Sequence, residues 1–312
     1  MLFNLVDQLG PIFLLVAMGF GLAKIGLVER ASIEGLTKMT FWALIPATLF
    51  VTISGNRVSE LFNLSIWLAY YGAVAMTAIS VFVLLRMGKR NTTPEAIVLA
   101  FGAIFSNIGM LGIPVVDILF GHEGLLVLAT ILCIHAIGLL TPTILLLEWT
   151  RNRNGNPAAI IGKTLRAQVC NPIIVAILCG VIVASFDIPM PQFAMTFLGM
   201  LKAAMPPIAL MLIGAGIYGQ KLRGNLATSI TGAIAKVCLM PGLVFVIGML
   251  LHIPMQSLAP AIIIAALPPG VNSVLMASTY ETASERTATT MLVATVLSLI
   301  ILPALAVVLA FD

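Results

Sequence analysis

Stretches of about twenty apolar residues, separated by short polar connections, recur along the whole chain, and each is long enough to cross the hydrocarbon core of a bilayer as a helix. That recurrence sets the fold class before any motif is considered. Charged residues make up 9% of the chain, whereas a soluble domain carries about 25%. The pattern predicts an all-α integral membrane protein with ten spans: Gln8–Leu27, Leu36–Gly55, Leu64–Leu85, Glu95–Phe120, Gly124–Leu147, Cys170–Ile188, Phe193–Tyr218, Leu226–Leu251, Leu258–Tyr280 and Ala288–Ala310. The first stretch follows Asp7 and no basic residue, so it reads as a permanent span and not as a cleaved leader. Cys133, Cys170, Cys179 and Cys238 fall inside apolar runs without metal-ligand spacing, and are expected to be small buried apolar residues.

The basic residues orient these spans. After the odd-numbered spans come Lys24, Arg30 and Lys38; Arg86, Lys89 and Arg90; Arg151, Arg153, Lys163 and Arg166; Lys221 and Arg223; and Arg286. The opposite side receives only Arg57. By the positive-inside rule the odd connections are cytoplasmic and both termini extracytoplasmic, in the cell inner (plasma) membrane. The net charge of +4 therefore reflects orientation in the membrane and implies no nucleic-acid partner.

Five spans precede the polar stretch 151–169 and five follow it, so the halves 1–150 and 170–312 are expected to enter the membrane in opposite senses, as two inverted five-helix repeats joined by a cytoplasmic loop. Pro46 and Pro206 echo each other across the halves, as do Gly109–Gly112 and Pro269–Asn272. The fourth span carries Ser106, Asn107, Gly109, Gly112 and Pro114, and the ninth carries Pro268, Pro269, Gly270, Asn272 and Ser273. Proline removes a donor and clashes with the preceding turn, and glycine frees the backbone, so both helices are expected to unwind there. Unwound backbone survives inside a membrane only where protein or a water-filled cavity satisfies it, and matched breaks mark a transporter's binding site. Each break offers a half-helix N-terminus, suited to an anion, with Asn107, Asn272 and Ser273 able to cap it or bind a ligand.

Lys202 and Lys236 lie inside spans, each about ten residues from the nearer end and so roughly 15 Å deep. Inserting a lysine there costs about 2.5–3.5 kcal/mol, which a carboxylate, carbonyls, water or a bound anion must offset. The acid well inside a span, Asp117, is too shallow to pair with both. Either the lysines face a carboxylate ligand or they bind helix-end carbonyls freed near Pro241 and Pro206-Pro207. His135 is a lone histidine on an apolar helix, suited to a hydrogen-bonded structural role or to proton relay. No nucleotide-binding loop, paired metal ligands or serine–histidine nucleophile pattern is present, so neither an enzyme nor a cofactor is expected.

Pro11-Ile12-Phe13 with Gly19-Phe20-Gly21, Ile45-Pro46-Ala47-Thr48-Leu49-Phe50, Asn107 to Gly112-Ile113-Pro114, and Ala265-Ala266-Leu267-Pro268-Pro269-Gly270 together resemble, in order and over the whole chain, the auxin efflux carrier family. The length and short central loop are similar to its bacterial branch, linked to malonate and malate. The resemblance implies crossing fourth and ninth helices near the substrate, a scaffold part and a transport part, and often a homodimer. Asn107 matches the family's crossover asparagine and Pro268 its second crossover proline; Ser106 stands where plant carriers have proline. The expected function is secondary transport of a small organic anion by alternating access, with a proton or sodium as coupling ion and lipid as surroundings. The alternatives are a sodium-coupled symporter of bile-acid-symporter-like fold, and a membrane sensor or enzyme. The residues assigned to the ligand are Asn107, Gly109, Gly112, Pro114, Lys202, Lys236, Pro268, Pro269, Gly270, Asn272 and Ser273.

Overall fold

The computed structural model describes residues 2–56, 63–88, 91–151, 162, 166, 170–220 and 222–309. The side chains of Asp7 and Arg151, the residues Arg57, Lys89, Arg90, Arg153, Lys163 and Lys221, most of the connection 151–169, and Ala310 lie outside the described residues. All named elements are helical: α1 Leu2–Lys24, α2 Arg30–Ser54, α3 Leu64–Met87, α4 Thr93–Gly102, α5 Ile113–Arg151, α6 Pro172–Ser185, α7 Gln192–Ile217, α8 Leu226–Leu250, α9 Met255–Ala266, α10 Val271–Thr279 and α11 Ser284–Leu309. Six helical stretches among the described residues are long and apolar enough to cross a membrane: α2, α3, Ile108–Thr150, α7, α8 and α11. Helices α4, α6 and α9 are apolar but shorter. Large apolar side chains such as Leu14, Ile79, Phe193 and Ile300 are exposed, as lipid-facing helix surfaces require.

Local chemistry sets the helix boundaries. Thr92 and Glu95 form a reciprocal capping box at the start of α4. The Asn171 side chain accepts from the Ile173 amide ahead of Pro172, and Asn225 accepts from Thr228 at the start of α8. Helix α5 turns at Gly121, whose φ of 57° is open to glycine and strained for other residues. Three five-residue π segments share one cause. Thr40–Leu44, Ile108–Gly112 and Ala235–Leu239 each end two residues before a proline, namely Pro46, Pro114 and Pro241. A proline ring collides with the carbonyl one turn back, and the wider π turn moves that carbonyl aside.

The chain forms two compact units, each drawing on segments from both sides of the central connection. The first contains Met1–Asn63, Ile108–Cys133 and Cys170–Gln220. Its defining contact is a close crossing of α1 and α7. A Cβ on Gly19 would fall 1.9 Å from the Met211 carbonyl oxygen, and one on Gly214 would fall 1.9 Å from that of Val16. Glycine on both helices lets the two backbones touch, a common packing solution where the hydrophobic effect between helices is absent.

The second unit contains Leu64–Asn107, Ile134–Val169 and Lys221–Asp312. Its centre is α9, buried on every side from Leu258 to Ala266, which fits a helix apolar all round. At one end of the unit, Arg286 pairs with Glu95 and donates to Asn91 Oδ1 at 2.6 Å, while Arg86 donates to the Asn91 carbonyl at 2.6 Å. This network ties the starts of α4 and α11. Cysteine placement corrects an expectation: Cys133 is half-buried, but Cys170, Cys179 and Cys238 are exposed. A thiol is apolar enough for an outward helix face, so an apolar run alone does not imply burial.

Gly19→Ala and Gly214→Ala are each expected to destabilise the protein by about 1–3 kcal/mol, because the added methyl group displaces backbone and not a flexible side chain. Thermal unfolding in detergent reads this as a lowered Tm. Gly21→Ala, which meets nothing within 4 Å, is the control and is expected to keep the wild-type Tm.

Candidate functional site

The site is assembled inside the second unit, where two helices stop. Helix α9 ends at Ala266 because Pro268 and Pro269 cannot continue it, and Leu267, the residue before a proline, is extended at φ −61°, ψ 147°. Gly270 is also extended, at φ −77°, ψ 159°, and caps α10 with no side chain of its own. In the other interruption, α4 ends at Gly102 and the chain passes through Ala103 and Ile104 into non-helical Phe105, Ser106 and Asn107.

The two interruptions satisfy each other. Ser106 and Pro269 form an antiparallel bridge; the Asn107 N–H donates to the Pro268 carbonyl at 2.9 Å, and the Gly270 N–H donates to the Phe105 carbonyl at 2.8 Å. Backbone groups that unwinding exposes are thereby paired without water. Gly270 permits the approach, since a Cβ there would lie 3.1 Å from the Phe105 ring. Residues 261–270 are all buried, so the bridge lies in the core of the unit.

Lys236 sits in the π segment of α8 and is fully buried. Its Nζ donates to the Ala265 carbonyl and lies 3.6 Å from Met240 Sδ. Ala265 is in the last turn of α9, where carbonyls lack helical partners and the dipole is negative, so the ammonium caps the helix end beside the break. Among the described residues the ion pairs are Arg30–Glu34 and Arg286–Glu95, so no described carboxylate neutralises Lys236.

The polar side chains at the breaks divide into two kinds. Ser273 is buried and donates its hydroxyl proton to the Gly270 carbonyl at 2.7 Å, which braces the start of α10. Asn107 and Asn272 are half-buried, and their side-chain amides have no hydrogen-bond partner among the described residues. The second unit thus brings together Asn107, Lys236, Pro268, Pro269, Gly270, Asn272 and Ser273. Gly109, Gly112, Pro114 and Lys202 belong to the first unit. There Gly109 and Gly112 lie in a π segment, Pro114 is the second residue of α5, and half-buried Lys202 places Nζ 3.5 Å from Thr52 Oγ1. The unwinding expected over the Ser106–Pro114 motif is confined to its first residues, because a proline in the first turn of a helix costs no hydrogen bond.

An aromatic group backs the bridge. The Tyr70 and Ser106 hydroxyls are 3.0 Å apart, and the buried His135 ring lies 4.8 Å from the Phe105 centroid and 6.0 Å from that of Tyr70. The buried His135 ring is packed by stacking, and the polar group that acts on it is the backbone of Ser106, so the packing is compatible with the expected hydrogen-bonded structural role. Tyr70 was not singled out by sequence reasoning. Its signal was a tyrosine about two turns into an apolar span, where the hydroxyl must find a partner.

The profile of the family described as "Membrane transport protein" matches residues 5–306. A protein named "Putative malonate transporter" from Rhizobium meliloti (strain 1021) is 24% identical over 294 residues, covering 92% of this chain and 90% of the relative. "Uncharacterized transporter YfdV" of Escherichia coli (strain K12) is 25% identical, with 96% of each chain covered. "Uncharacterized transporter MJ1031" of Methanocaldococcus jannaschii is 22% identical, over 95% of this chain and 96% of the relative. With its apolar helices, interrupted and paired as described, the chain is a multi-pass membrane transporter belonging to the auxin-efflux-carrier-like membrane transport protein family.

Proposed function

We propose that the chain is a secondary transporter that carries a small organic anion, a carboxylate such as malonate or malate, by alternating access. The observation that carries this reading is the pair of mutually bonded breaks with two unpartnered amides, Asn107 and Asn272, beside a buried ammonium that no described carboxylate neutralises. Amides and free N–H groups at helix starts bind a carboxylate by direct hydrogen bonds. Lys236 adds positive potential while holding the end of α9, and in a site of low dielectric that potential reaches a ligand it does not touch. Pro268, Pro269 and Gly270 keep the second break extended, and Ser273 braces it from within. Gly109, Gly112 and Pro114, on the other segment of the fourth span, and Lys202, in the seventh, complete the assignment. The malonate named for the Rhizobium relative supports this substrate class.

In the same reading the chain has ten spans in two inverted five-helix repeats, 1–150 and 170–312, joined by a cytoplasmic loop at 151–169. It lies in the inner membrane with both termini outside, works as a homodimer, and couples transport to a proton or sodium.

Uptake of radiolabelled malonate and malate into proteoliposomes tests the reading, with and without sodium and with an imposed pH gradient to identify the coupling ion. Asn107→Asp and Asn272→Asp change shape little but set a negative charge against the anion, and each is expected to lower uptake at least about tenfold. Lys236→Met, of similar length and uncharged, is expected to lower uptake by a similar factor; wild-type uptake by all three variants removes the assigned site. Lys236→Met also leaves the Ala265 carbonyl without its donor, so its Tm is expected to fall by the equivalent of about 1–3 kcal/mol.

A further inference from the structure

The bridge between the breaks sets two unlike residues in like positions. Exchange Phe105, Ser106 and Asn107 with Pro268, Pro269 and Gly270, and the two bridging hydrogen bonds interchange. Ser106 is thus the counterpart of Pro269. At Pro269 the ring removes a donor, clashes with the turn before it and disfavours helix at Pro268, so the second break cannot close into helix. Ser106 has no ring, and its N–H is not a donor in the bridge. Nothing in a serine itself bars helix, so this break is held by the bridge and by the contacts that Ser106 makes.

The side-chain contact is with Tyr70. Its side chain is fully buried on α3, its hydroxyl lies 3.0 Å from Ser106 Oγ, and Ser106 itself is buried. Tyr70 has little room to swing away, because its ring meets Tyr71 edge-on at 5.2 Å and faces His135 at 6.0 Å. Phe105, the residue before Ser106, is wedged between His135 at 4.8 Å and Phe101 at 5.1 Å. The residue after Ser106 is Asn107, whose amide has no protein partner among the described residues, so the direction of that amide follows from the backbone of Ser106.

We infer that Tyr70 is a positioning residue: through its hydrogen bond to Ser106 it helps hold the first break out of helix, as Pro269 holds the second, and so aims the Asn107 amide. The inference about geometry stands on the bridge alone; its consequence for malonate rests on the function proposed above.

Two measurements separate those layers. In hydrogen–deuterium exchange on protein in lipid nanodiscs, the reporters are the Asn107 and Gly270 amides, the two donors of the bridge. Tyr70→Phe keeps the ring and removes one hydroxyl, and is expected to speed their exchange about tenfold, the factor lost with one buried hydrogen bond. Ser106→Ala is expected to do the same, and the double variant no more than either alone, as for two halves of one interaction. Ser106→Pro supplies the missing ring, so Tyr70→Phe/Ser106→Pro is expected to return to wild-type protection at Gly270. In malonate uptake, Tyr70→Phe is expected to raise KM several-fold with little change in maximal rate, and Ser106→Pro to restore it.

A tyrosine that only fills space predicts wild-type exchange and KM for Tyr70→Phe, and that result overturns the inference. So does a double variant whose effect is the product of the singles, or a failure of Ser106→Pro to rescue the amides while Ser106→Thr, which keeps the hydroxyl beside Tyr70, remains at wild-type protection. Should the wild-type protein take up no malonate, the substrate reading falls, and the exchange results still decide the role of Tyr70.

Discussion

A polypeptide inside an apolar environment must satisfy its own backbone, and breaking a helix there frees donors and acceptors that lipid cannot meet. Each such group left unpaired costs about 1–3 kcal/mol. In this chain the breaks after α4 and after α9 answer the demand for each other: Asn107 donates to Pro268 and Gly270 to Phe105. The second break is fixed by its prolines, so closing the first into regular helix would strand the Gly270 N–H and the Pro268 carbonyl. The burial of α9 and its extension through Gly270 are the packing counterpart of that pairing.

The charge at the breaks follows from the same geometry. Helix α9 ends in the core, and its last carbonyls need donors. Lys236 supplies one to Ala265 from the π segment that Pro241 induces in α8, so one proline positions the lysine and two others create the carbonyl end that it caps. The Ala265 carbonyl is neutral and cancels no charge on the amine it accepts from. In the proposed reading the same atom stabilises the interrupted helix and supplies positive potential beside it. A carboxylate partner for Lys236 would have achieved the first and abolished the second.

The breaks themselves were legible in the sequence because their causes are local: Leu267-Pro268-Pro269-Gly270 cannot remain helical, whatever surrounds it. The depth of Lys236 and its choice between helix-end carbonyl and ligand were also readable, as two alternatives. What could not be read was whatever depends on register between distant segments. Nothing in the chain announces that Ser106 lies opposite Pro269, that Tyr70 reaches Ser106, or that the hydroxyl of Ser273 turns inward to Gly270. Pro114 was misleading for a related reason. A proline within a motif reads as a breaker, yet at the second position of a helix it is harmless, and only the observed boundary at Ile113 distinguishes the two. The exposed cysteines make the same point about burial: in a membrane chain an apolar run has an outside as apolar as its inside, and the sequence does not mark which face is which.

Under the proposed function, the division of polar groups at the breaks bears on how a ligand would be held. Most are already engaged: the bridging amides with carbonyls, Ser273 with Gly270, Lys236 with Ala265 and Ser106 with Tyr70. The amides of Asn107 and Asn272 remain. A carrier must release its cargo in every cycle, and a bidentate salt bridge to a buried cation is among the strongest contacts a carboxylate can form. Neutral amides bind more weakly, and an ammonium held one step back contributes attraction without a direct bond that release must break. In the proposed reading, occupying Lys236 with a helix end and leaving the asparagines free would combine selectivity for negative charge with contacts weak enough to be undone.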